Sequence, residues 1–184
     1  MVLLNLALAP TLICLIYIFI RDKYEKEPLQ LLFIGVFFGI IITAPISKTE
    51  NFIMLFMPDL NLIEENLYIS FVVAGFTEEF FKYVILFFLT WYNKNLNEWF
   101  DGIVYAVFIS LGFAGVENIL YVLSDTYGGV KTAINRGIFS VPGHALFGVN
   151  MGYYFTLAKF IPRKRLKYLS FAFFSPLLLH GIYD

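Results

Sequence analysis

Residues 67–91 read LYISFVVAGFTEEFFKYVILFFLTW. At about 1.5 Å per residue, a helix over this stretch is long enough to cross a hydrocarbon core about 30 Å thick. Yet Glu78, Glu79 and Lys82 sit in its middle, with Phe, Val, Ile and Leu on every side. Such groups each cost about 2.5–3.5 kcal/mol near a bilayer centre, and by default they mark a functional site. The stretch is therefore either no membrane span or one wall of an interior polar site. The rest of the chain decides between these.

Of its 184 residues, 59% are hydrophobic and only 15% charged, and mean hydropathy is +0.74. Soluble domains are about 45–50% apolar and about 25% charged. Long apolar runs recur, and candidate spans fall at 1–20, 29–46, 67–92, 100–123, 136–160 and 168–184. The fold class expected is an all-α polytopic transmembrane helix bundle of about six spans, with residues 1–184 as a single integral-membrane domain. The first run lacks a basic leader and ends in RDKYEKEP at 21–28, so it reads as a retained helix rather than a signal peptide. Nine Lys and Arg fall in or beside the connections 21–28, 93–99 and 161–167, against three in 47–66 and 124–136. The positive-inside rule then places the N-terminus outside. The segment NFIMLFMPDLNLIEENL, 51–67, is apolar enough to lie along the interface, with Glu64 and Glu65 as solvated loop residues. A net charge of −1 argues against a nucleic-acid partner, and Cys14, the single cysteine, cannot form an internal disulfide.

Other spans also carry ionisable groups: Glu117 in the fourth, His144 in the fifth, His180 and Asp184 in the sixth. Counting along helices of alternating direction, Glu78 lies about 15 Å, Glu117 about 10 Å and His144 about 12 Å from the outer surface, and His180 about 18 Å from the inner one. All four fall in the outer half of the bilayer, which independent placement would not produce. Glu78 and Glu79 lie four and three residues before Lys82, so its ammonium reaches either. His180 and Asp184 share the i,i+4 spacing at which an acid orients an imidazole. His144, Gly148 and Gly152 form one stripe that suits close helix packing. Pro142-Gly143 reads as a helix start or break, and Arg136 as an outer anchor. Asn118 is divided between helix glue and the site.

A structural ion pair would explain one glutamate, not two together with Glu117 and both histidines. No HExxH zinc motif occurs, nor a G-x-S-G serine signature, and the YD at 183–184 has no GxGD partner. A transporter or proton relay using the same Glu, Lys and His cluster is the alternative class, without a visible inverted repeat to support it.

Four motifs in order, EEFFK (78–82), FAGVEN (113–118), RGIFSVPGH (136–144) and HGIYD (180–184), resemble those of the PrsW family of bacterial intramembrane proteases, related to the CAAX prenyl endopeptidases. The similarity covers nearly the entire chain. It implies a protease of the bacterial cytoplasmic membrane that makes the first cut in a single-pass anti-sigma factor. That cut leads to activation of an extracytoplasmic-function sigma factor under envelope stress or antimicrobial peptides. The endopeptidases carry His where this chain has Glu117, so their water-binding scheme does not carry over unchanged. Relatives usually continue beyond the point where the last span here meets Asp184, which suggests a truncated chain.

Hydrolysis needs a base for water, a partner for the oxyanion and a proton donor for the leaving amine. Glu78 is expected as the base, with Glu79 holding a proton or positioning water. Glu117, His144 and His180 complete the catalytic set, and Lys82, Asn118 and Asp184 support it. No cofactor is favoured. A Zn2+ scheme stays open as the alternative, with Glu78, Glu79, Glu117, His144, His180 and Asp184 as candidate ligands.

Overall fold

The computed structural model describes residues 1–23 and 25–184, and all regular structure among them is helical. Helices α1 (Val2–Arg21) and α2 (Leu29–Met54) are followed by α3 (Leu62–Tyr68). From α3 the chain runs without a break through a π-helical stretch, Ile69–Phe76, into α4 (Thr77–Thr90). Next come α5 (Asp101–Val122) and α6 (Val130–Asn135), which passes through a second π turn, Arg136–Ser140, into α7 (Val141–Phe160). A short 3-10 turn, Pro162–Lys164, leads to α8 (Arg165–Tyr183). Three of the six passes, α1, α2 and α5, are long and apolar enough to cross a membrane by themselves, with hydropathies of 2.4, 2.3 and 1.8. The 62–90 and 130–160 passes are divided by π turns, and they and α8 carry ionisable groups.

Helix α5 is the axis: Val104 to Gly115 is buried without interruption, with α1, α2, α4 and α7 packed around it. Lipid offers little hydrophobic drive between helices, so close backbone approach at small residues supplies the contact energy. A Cβ on Gly152 would run into the Gly102 carbonyl, and one on Gly112 into Val36 of α2. The expected His144–Gly148–Gly152 stripe is this α5–α7 seam. Outward, Ile13, Ile16, Phe33, Phe37 and Ile40 are exposed, an apolar girdle that a bilayer covers.

Loops 22–28 and 91–100 meet at one end, where Asn97 Nδ2 donates to Glu25 at 3.4 Å and the buried Asp22 accepts the Glu27 N–H at 3.1 Å. Tyr105 of α5 donates to Glu27. With 161–167 this makes the basic end, and α3 and α6 lie at the other.

Two local expectations change. Helix α2 does not stop at 46 but continues to Met54, with Thr49 and Asn51 each donating to the carbonyl four residues back at 2.8 Å. Glu64 and Glu65 are not in a loop but in the first turn of α3, where Asn61 and Glu64 form a capping box. Pro142-Gly143 lies, as expected, at a helix start: α7 begins at Val141, directly after the π turn, and Pro142 occupies its first turn.

Candidate active site

Each π stretch ends just before a candidate residue. The first precedes Thr77-Glu78-Glu79, the second precedes His144 by one turn. A π turn adds one residue to the helical circuit and rotates the helix beyond it, which is why such turns gather at functional sites. The first also sets α8. A Cβ on Gly75 would crowd the Ser70 carbonyl of the same π stretch at 2.8 Å, and one on Gly181 of α8 would run into the Phe71 ring, so the close approach of α8 rests on Gly181.

The resulting cluster is buried: Glu78 is 4% exposed, Glu79 0%, Lys82 1%, His144 3% and His180 2%. Lys82 Nζ spends its three hydrogens on Glu78 Oε2 at 2.9 Å, Glu79 Oε1 at 3.0 Å and His144 Nδ1 at 3.3 Å. It also lies 4.2 Å from the Phe113 ring centroid. An ammonium only donates, so His144 Nδ1 accepts and its Nε2–H points to Glu117 Oε2, 3.0 Å away. Both nitrogens of His180 face carboxylates: Nδ1 is 2.9 Å from Glu79 Oε1, and Nε2 is 3.3 Å from Asp184 and 3.9 Å from Glu78. Phe147 stacks on its ring at 4.8 Å. The structure thus brings all eight expected residues together.

The two glutamates are not equivalent. Glu78 lines a cavity of about 660 Å³ that also touches Glu117, His144 and His180. Its Oε1 makes no bond within the protein among the described residues. Glu79 points away from the cavity into the packing, where its Oε2 is buried without a partner. The exposed Ser47, Asn66 and Asp184 rim the cavity at the α3/α6 end.

Arg136 is not an outer anchor. Its guanidinium turns inward, with NH2 2.6 Å from Glu117 and Nε 3.1 Å from Asn118 Oδ1, and it stacks on Tyr121. Asn118 serves both roles weighed for it, since its Nδ2 also ties α5 to the Ala7 carbonyl at 2.7 Å. Glu50, which lines the same cavity, is a further carboxylate that reading the sequence passed over.

The family described as PrsW family intramembrane metalloprotease matches residues 27–184. Protease PrsW of Geobacillus kaustophilus is 39% identical over 99% of this chain and 78% of its own. Those of Clostridioides difficile and Bacillus subtilis are 40% and 36% identical over 97% and 98% of this chain, and 76% and 80% of their own. No solved structure matches. The chain belongs to the PrsW family. It is accordingly an integral-membrane protease, and the transporter reading gives way.

The metal in the PrsW family's description can be tested against the donor set. Glu78, Glu79, His144 and His180 each offer a ligand atom, all within 4.8 Å of one another. Two imidazoles and two carboxylates with converging donor atoms suit zinc. The residues fit a metal. Glu117 and Asp184 fall outside that group, so the six candidate ligands narrow to four. In this PrsW site the Lys82 ammonium stands among the same donors.

Proposed function

We propose that this protein hydrolyses a peptide bond of a single-pass anti-sigma factor near the outer face of a bacterial cytoplasmic membrane, with the N-terminus outside. That cut would start release of an extracytoplasmic-function sigma factor in response to envelope stress or antimicrobial peptides. One observation carries the reading: a carboxylate with an uncommitted oxygen, Glu78, on the wall of a polar cavity that opens at the α3/α6 end. The substrate would enter there as an extended backbone.

In this reading Glu78 takes a proton from water as it attacks the scissile carbonyl, then returns it to the departing amine nitrogen. Lys82 keeps Glu78 oriented. His180, held through Nδ1 by Glu79, turns its Nε2–H from the exposed Asp184 to the developing oxyanion. Glu117, fixed by Arg136, holds His144 with its Nε2–H directed along the cavity wall. A Zn2+ ion, where bound, would be held by Glu78, Glu79, His144 and His180, and would supply Lewis-acid polarisation and a more acidic water. Hydrolysis by the side chains alone is the scheme the superfamily resemblance favours.

The test is reconstitution of the purified protein in vesicles with a single-pass anti-sigma factor, with and without a strong chelator. Cleavage that survives chelation supports the side-chain scheme, and loss that zinc restores supports the metal. No cleavage under any lipid condition contradicts the proposal.

A further inference from the structure

Helix α2 is apolar for most of its length, but Thr43, Ser47 and Glu50 recur at i, i+4 and i+7 and so share one face. All three line the cavity that holds Glu78. A polar stripe on a membrane helix is expensive unless it meets something polar. Thr43 bonds to its own helix, at 3.5 Å to the Gly39 carbonyl. Glu50 has no hydrogen bond or ion pair among the described residues, although it is half-buried.

Every other ionised group on the cavity wall has a partner. Glu78 has Lys82, Glu117 has Arg136, and Asp184 has His180. Lys82 has no hydrogen left to offer. Lys48 is exposed and projects about 200° around the helix from Glu50. The wall carries four carboxylates, Glu50, Glu78, Glu117 and Asp184, against the guanidinium of Arg136 and the Lys82 ammonium behind Glu78, so its field still favours a cationic occupant. Glu50 stands apart from the four residues whose donor atoms converge. One carboxylate with two hydroxyls also falls short of the about six oxygens a hard cation takes. What remains is a cation carried in by the substrate.

We infer that Glu50 is a specificity-determining residue that receives a lysine or arginine side chain of the substrate, close to the bond that is cut. The inference rests on the protease reading above. The bound ammonium or guanidinium completes the single unpaired charge on the wall and sets the register of the extended segment across Glu78. By the positive-inside rule basic residues are sparse where a single-pass helix leaves the outer face, so a Lys or Arg there would single out one juxtamembrane segment by its charge.

The test uses the vesicle-reconstituted protein and its single-pass substrate, with Lys, Gln or Glu placed singly at successive positions around the cleavage site. At one position, wild type should prefer Lys over Gln by about 10- to 100-fold in kcat/KM, the range of a charge-assisted hydrogen bond. Glu50→Gln should level the two, and Glu50→Lys should prefer Glu. Cleavage of the Gln substrate by both variants shows that they are folded. If wild type and Glu50→Lys rank the substrates identically at every position, the inference fails while the protease reading stands. If wild type cuts none of them, both fail.

Discussion

Glu78 and Glu79 are neighbours on one turn, yet their surroundings differ in kind. Glu78→Gln removes an oxygen base at the cavity wall, and cleavage should fall by about 10²–10⁴-fold, the worth of a positioned base. Its thermal midpoint in detergent should fall less than that of Glu79→Gln, because Glu78 borders the cavity and Lys82 keeps Glu79 as a counter-charge. Glu79→Gln should show the opposite balance. It takes a carboxylate from between Lys82 and His180 in a dry interior, where unpairing a buried charge costs about 3–5 kcal/mol, so the midpoint should drop clearly. Arg136→Lys keeps the charge but not the fork that reaches Glu117 and Asn118 together. Its kcat/KM should fall about tenfold, or about 1.4 kcal/mol. Ionisable residues inside spans are costly enough to be visible in the bare sequence, which is why the cluster around Lys82 could be read there. Arg136 could not, because a basic residue near the end of a span ordinarily marks an interfacial anchor.

At the scale of elements, the π stretches at Ile69–Phe76 and Arg136–Ser140 aim the site, and neither has a sequence signature. Both look like ordinary apolar helix, so the spans could be located but not their rotation. The run Ser47-Lys48-Thr49-Glu50 resembles a loop in composition, yet it continues the α-helix, with Thr49 satisfied by the carbonyl four residues back. The glycine seams were legible, since small residues at i,i+4 have few other reasons to recur in a membrane helix. They predict that Gly152→Ala, whose Cβ meets the Gly102 backbone, destabilises by about 1–3 kcal/mol through overpacking. Unfolding monitored by circular dichroism in detergent measures this, and an unchanged midpoint would mean that α5 and α7 are not in close contact.

The whole molecule couples its two ends through α5, which carries Glu117 near one and Asp101 and Tyr105 near the other. At the basic end, burial and the negative charge of Asp101 push the Glu27 carboxyl up to about 9, with Asp22 and Glu25 adding to the effect. Glu27 in its protonated form can give its hydrogen to Asp101 while accepting from Tyr105. A folded pKa above the ordinary 4.5 means stability fully present below pH 4.5 and lost as pH rises through about 9. Thermal midpoints should therefore decline across that window, and Glu27→Gln, which keeps a donor for Asp101 and an acceptor for Tyr105, should flatten the decline. An equally steep decline in the variant would place the effect elsewhere. The central claim, that Glu78 at the cavity wall performs hydrolysis while Glu79 holds the frame, is tested most directly by one comparison. Wild type, Glu78→Gln and Glu79→Gln are reconstituted with the same single-pass substrate, matched for folded protein, and the new termini are quantified by mass spectrometry. The account predicts one defined cut by wild type, essentially none by Glu78→Gln, and residual cutting at the same bond by whatever Glu79→Gln remains folded. Wild-type-like cutting by Glu78→Gln would contradict it.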